Sequence, residues 1–111
     1  MSTEMTDATV KIAASGGLVR IVLEGEIDLA NARWVGEEMT SAITNQATAA
    51  VVDLSGVGYI DSAGLHVLFE LAARLPTLQI ALELIAPLGS QVRRVMEICG
   101  LTTVVPVKPD A

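Results

Sequence analysis

The chain is poor in the residues that many small catalytic and nucleic-acid-binding domains are built on. A single cysteine in 111 residues excludes an internal disulfide and fits a reducing compartment. One histidine beside that one cysteine leaves no Cys/His metal-ligand set. Basic residues are scarce: seven Lys and Arg stand against 13 Asp and Glu, for a net charge of −6. Phosphate attraction supplies most non-specific nucleic-acid affinity, so an acidic chain makes a poor direct partner for DNA or RNA. An anionic membrane surface is disfavoured on the same ground. Long apolar runs are missing too. The longest stretch without a charged residue, Met39 to Val52, has 14 residues, whereas a membrane span needs about 20. The opening MSTEMTDATV carries acids where a signal peptide needs basic residues and an apolar core, so a cytoplasmic protein is expected.

What is present is enough apolar material for a core. Hydrophobic residues make up 51% of the chain, and a domain this size hides about 65% of its unfolded surface. One domain over residues 1–111 is expected, with its core at about residues 8–107. Met1 to Asp7 and Val107 to Ala111 read as frayed ends.

Between those ends the apolar period switches repeatedly between two and 3.6. Val10 to Ala14 and Leu18 to Glu24 flank Gly16-Gly17 and predict a hairpin. Trp34, Val35, Met39, Ala42 and Ile43 share a helix face, with Asp28 or Asn31 as its cap. Ala49 to Leu54 reads as a short strand buried on both faces. Leu65, Leu68, Phe69, Ala72 and Leu75 form a second helical stripe that Pro76 closes, with Glu70 and Arg74 spaced to pair outside it. Leu78, Ile80, Leu82 and Leu84 alternate as a strand. Val92, Val95, Met96 and Cys99 make a third helical stripe, buried, between Ser90 as N-cap and Gly100. Thr102 to Val107 reads as a last strand. The order β-β-α-β-α-β-α-β predicts an α/β domain: a mixed sheet, N-terminal hairpin plus parallel strands, packed with helices.

The segment from Asp53 to Gly64 leaves a strand and enters a helix, where nucleotide and nucleophile motifs live. Gly56-x-Gly58 lacks the third glycine of a dinucleotide fingerprint, and Asp61 stands in its place. No lysine lies between Lys11 and Lys108, so no phosphate loop is present. Ser62 has Gly64 after it but Ile60 before it, half of a nucleophile elbow. His66 lies four residues beyond Ser62 but has no evident orienting acid or oxyanion hole, and its simplest role is that of a surface residue. No catalytic residue, cofactor or metal site is expected.

Ser62 at a helix start can be read simply as an N-cap. Its surroundings add something. From Glu24 to Glu70 there are eight acids and one base, Arg33. Parallel strands ending near residues 24 and 54 would carry Asp28 and Asp61 to one edge, where α/β sheets place binding surfaces.

Gly25-Glu26-Ile27-Asp28, then Asp53-Leu54-Ser55 and Ile60-Asp61-Ser62-Ala63-Gly64-Leu65, each before a helix, resemble the STAS domains. More narrowly the chain is similar to the stand-alone anti-sigma factor antagonists of bacteria, from about Val10 to Val107. Leu84-Ile85-Ala86-Pro87 and Val92 to Leu101 resemble the family's last helix. The resemblance implies that Ser62 is phosphorylated by a partner that is both serine kinase and anti-sigma factor. Unphosphorylated antagonist captures that partner and frees the sigma factor, and a serine phosphatase resets it. Asp28 and Asp61 match family acids beside the phosphoacceptor. Ala63 departs from the pattern, since many members carry a second hydroxyl there. Ala63, His66 and Val67, taken as the outward side of the helix, complete the expected partner-binding set. The alternative is a STAS scaffold or transport-complex subunit that is never phosphorylated.

Overall fold

The computed structural model describes residues 7–110. Its first strand β1 (Ala8–Ser15) turns through Gly16 and Gly17 into β2 (Leu18–Ile27). Both glycines have positive φ, 59° and 87°, as a type I′ two-residue hairpin turn requires. Then come α1 (Ala32–Ala42), β3 (Ala49–Ile60), α2 (Ser62–Arg74), β4 (Ala81–Ile85), α3 (Gln91–Cys99) and β5 (Val107–Lys108). The strands lie side by side in chain order, with β1 antiparallel to β2 and every later pair parallel. The mixed sheet expected from the alternating periods is the sheet observed.

The core lies on one side of that sheet. Val19, Ile21 and Leu23 of β2, Ala50, Val52 and Leu54 of β3, and Leu82 and Leu84 of β4 are buried at every second position. Val35 and Met39 of α1, Leu68, Leu71 and Ala72 of α2, and Val92 and Met96 of α3 join the same apolar cluster. The opposite face carries cross-strand ion pairs: Lys11 with Glu24 at 3.4 Å, Arg20 with Asp53 at 3.1 Å, and Lys108 with Glu83 at 2.8 Å. The expectation that Ala49 to Leu54 is buried on both faces is therefore corrected. Helices cover one face only, and Asp53 pairs with Arg20 on the other.

Other boundaries move for local reasons. β3 runs twelve residues, six beyond the apolar run that announced it. The front of the alternating Leu78–Leu84 segment is not strand: Leu75–Leu78 is a 3₁₀ turn with Pro76 at its start, and Leu78 is exposed. Gln79, at φ 60°, turns the chain before Ile80 re-enters the core. The last strand is Val107–Lys108 rather than Thr102 to Val107, because Leu101–Thr103 forms another 3₁₀ turn. So Val107 and Lys108 are paired with β4 and not frayed, whereas the expected fraying of Met1 to Asp7 lies, save for Asp7, outside the described residues. Cys99 is exposed rather than buried, although Val92 and Met96 of its stripe are core. It is the last residue of α3, beyond Met96, the last buried residue of the helix.

Candidate functional site

Strands β2 and β3 run parallel and end together, Ile27 paired with Ile60. Their exits therefore share one edge, and the loop after β2 meets the start of α2 there. The expected meeting of Asp28 and Asp61 is what the structure shows. The Asp61 N–H donates to the Ile27 carbonyl at 3.1 Å, and the Leu29 N–H donates to Asp61 Oδ2 at 3.1 Å.

Asp28 shapes its own turn, its Oδ1 accepting from the Ala30 N–H at 3.0 Å. Asn31 occupies the N-cap position of α1 but makes no side-chain cap. It is 3% exposed and faces backwards: Oδ1 accepts from the Asp28 N–H at 3.0 Å, and Nδ2 donates to the Glu26 carbonyl at 2.8 Å. A buried amide with both ends satisfied fixes the loop that carries Asp28 and Leu29. Leu29, 82% exposed, projects from this loop beside Asp61.

The cap of α2 is Asp61, not Ser62. Asp61 Oδ1 accepts from the N–H groups of Ala63 at 2.9 Å and Gly64 at 3.2 Å. With Oδ2 bonded to Leu29, both carboxylate oxygens are committed within the fold. Ser62 is the first helical residue and is exposed. The carboxylate is the stronger acceptor for amide donors, so it takes the cap and leaves the hydroxyl free of that task. Gly64 lies buried against the strand ends, where an added Cβ would come within 2.6 Å of Ile60 Cγ1 and 2.8 Å of Ile27 Cγ2. Only glycine lets the first turn of α2 sit directly on both isoleucines.

The exposed row of α2 is Ser62, His66 and Glu70, at i, i+4 and i+8, and His66 Nε2 lies 3.2 Å from Glu70 Oε2. Glu70 thus reaches back to His66 instead of forward to Arg74. Ala63 and Val67 are half-buried and pack against the core, which corrects their placement on the outward side. The helix start falls one residue earlier than a Ser62 cap implies, and Val67 leans on Gly36 of α1. A groove of about 680 Å³ between α1 and α2, lined in part by Arg33, Gly36, Val67 and Arg74, runs beside this row.

One contact at the site carries no signal in the sequence. The Gln91 side chain at the start of α3 accepts from the Ile60 N–H and donates to the Ile60 carbonyl, both at 3.0 Å. β4 has already ended at Ile85, so the Gln91 amide stands in for a missing strand partner at the residue before Asp61. Among the described residues no group of three or more His, Cys, Asp or Glu is placed to hold a metal ion. No helix among them is long and apolar enough to cross a membrane.

The sequence model of the STAS domain family matches residues 9–111. The chain is 31% identical over 93 residues to the anti-sigma-F factor antagonist RsfB of Mycobacterium tuberculosis, covering 84% of this chain and 75% of RsfB. A crystal structure of an anti-sigma factor antagonist from Mycobacterium paratuberculosis superposes with a TM-score of 0.83 at 25% identity, covering 92% of this chain and 86% of that one. The Bacillus cell fate determinant SpoIIAA, in its phosphorylated form, shares the fold at a TM-score of 0.68 and 18% identity, over 89% and 90% of the two chains.

Proposed function

We propose a phosphorylation switch for this chain, which belongs to the STAS domain family and, within it, to the anti-sigma factor antagonists. With Ser62 unmodified, it binds an anti-sigma factor that is also a serine kinase, and so frees a sigma factor. Phosphorylation of Ser62 by that partner ends the complex, and a serine phosphatase restores it. The exchange takes place in the cytoplasm, and the chain acts as a binding module rather than an enzyme. The observation that carries this reading is the division of labour at the start of α2. Asp61 does the capping, so the Ser62 hydroxyl is exposed and can be modified without loss of the cap.

The same geometry explains why the fold tolerates the phosphate. A phosphoserine brings about −1.5 to −2 charges, and at Ser62 they would stand at the positive end of the α2 dipole. The SpoIIAA structure supports this, since its fold is described in the phosphorylated form. The cost falls on the partner, which must meet a dianion on a surface already negative from Glu26, Asp28 and Asp61. A loss of about 3 kcal/mol is about 150-fold in affinity, enough for release. Partner contacts are assigned to Asp28, Asp61, Ala63, His66 and Val67. Asp28 and Asp61 act chiefly by holding the loop and helix start in register, His66 by direct contact, and Ala63 and Val67 at the floor of the surface.

Immobilised wild-type protein, Ser62→Ala and Ser62→Asp test this in lysate of the source cells, with bound proteins quantified by mass spectrometry. An anti-sigma factor should be retained on the first two and reduced about 100-fold on Ser62→Asp, which should remain folded. Equal retention on Ser62→Asp and wild type would contradict the proposal.

A further inference from the structure

The sheet has two unequal edges. One is β5, two residues long; the other is β1, eight residues long. In a two-residue hairpin the flanking pair, here Ser15 and Leu18, exchanges hydrogen bonds, and the alternation then points every odd residue of β1 toward β2. The Glu26 N–H donating to the Asp7 carbonyl at 3.2 Å keeps the same parity. The N–H and C=O groups of Val10, Ile12 and Ala14 therefore face outward along the edge.

Natural sheets blunt such edges with prolines, bulges, charges or covering segments. β1 contains no proline, and its register runs unbroken from Ala8 opposite Gly25 to Ser15 opposite Leu18. Its one charged side chain, Lys11, is paired with Glu24 of the same sheet. Ile12 and Ala14 lie on the core-facing side, opposite Ile21 and Val19, yet both are exposed, Ile12 to 45%. Among the described residues nothing covers this corner: the helices leave Ile12 and Ala14 exposed beside the outward groups of Val10, Ile12 and Ala14.

We propose that β1 pairs antiparallel with β1 of a second copy of this chain, giving a continuous ten-stranded sheet across a two-fold axis at Ile12. The register follows from parity and charge. Outward hydrogen bonds join only even residues to even residues, so the axis passes through a residue. An axis at Lys11 would set two lysines directly opposite each other, which is destabilising. An axis at Ala13 shortens the overlap. The axis at Ile12 pairs Ile12 with the second copy's Ile12 and Val10 with its Ala14 on the core side, and Lys11 with its Ala13 on the open side. No charge meets a like charge, and both apolar corners are covered together. Because β5 is too short to receive β1, head-to-tail growth is not available and the assembly closes as a dimer. Ser62 follows β3, two strands in from this edge, so the contact does not depend on the state of that serine.

Sedimentation velocity over a wide concentration range should show the full chain passing from one-chain mass to twice 11.6 kDa. Ile12→Lys, at an exposed position, should keep its circular dichroism and weaken association about tenfold or more. A cross-link tests the register separately. Hydrogen-bonded antiparallel partners have Cα atoms about 5.5 Å apart, within disulfide range. In a Cys99→Ser background, Ile12→Cys should oxidise to a covalent dimer and Leu18→Cys should not. A one-chain mass at every concentration, larger open assemblies, a dimer indifferent to Ile12→Lys, or equal cross-linking through Leu18→Cys would each overturn the proposal.

Discussion

Asp61 makes three hydrogen bonds with two oxygens, and it joins the loop after β2 to the first turn of α2. Replacing it with alanine removes the cap and strands the Leu29 N–H, so Asp61→Ala should cost about 1–3 kcal/mol in urea denaturation. Asp61→Asn, which keeps one acceptor oxygen, should cost less. Ser62→Ala touches neither the cap nor the core and should leave stability within about 0.5 kcal/mol. Gly64→Ala places a methyl where Ile60 and Ile27 already sit, and should cost about 1–3 kcal/mol by overpacking. Equal stabilities for Gly64→Ala and wild type would show that the first turn shifts freely. At this scale the sequence shows much of the site. Two acids after two parallel strands must reach one edge, and Asp28 and Asp61 do. The helix starts one residue before the boundary a Ser62 cap implies, because aspartate and serine are both good caps and periodicity does not choose between neighbours. That single residue decides whether the Ser62 hydroxyl is tied up in the cap, whereas Ala63 and Val67 turn inward because α1 packs beside α2, with Val67 against Gly36.

The elements were legible where their apolar period is regular. The hairpin, the α1 and α2 stripes and the parallel order follow from alternation of two and 3.6. Where proline and tertiary contact intervene, the pattern misleads. Leu78 continues the alternation of β4, but Pro76 starts a 3₁₀ turn and leaves Leu78 exposed. The second half of β3 has no apolar run, since its outer end is held by β2 and by Gln91 rather than by a β4 neighbour. Gln91→Ala should therefore raise hydrogen exchange at the Ile60 amide by about tenfold or more, with a stability loss of about 1–3 kcal/mol. Unchanged protection at Ile60 would remove Gln91 from the account. The short β5 is held to β4 by backbone bonds and by Lys108 with Glu83. The Lys108 pKa is raised above 10.5 by the hydrogen bond it donates to Glu83 and by the charge of that carboxylate. A raised lysine pKa stabilises the fold below the unfolded value and loses that contribution as pH climbs through the folded one. The Tm difference between wild type and Lys108→Met should thus hold steady at neutral pH and fall away above about pH 10.5. A difference that vanished near neutrality would contradict this.

At the scale of the molecule, one face of the sheet is core and the other is a field of ion pairs, while the strand exits gather negative charge around one exposed serine. The net charge of −6 would become about −8 on phosphorylation, with the change concentrated where Glu26, Asp28 and Asp61 already lie. In the proposed switch the fold need not move, and the partner alone would feel the difference. The most direct test is the intact mass of this protein recovered from its own cells, in growth and under stress, with Ser62→Ala alongside. A species about 80 Da heavier, as one phosphate requires, is expected, its proportion changing with condition and absent from Ser62→Ala. A single unmodified mass in every condition, or a heavier species that persists in Ser62→Ala, would contradict it.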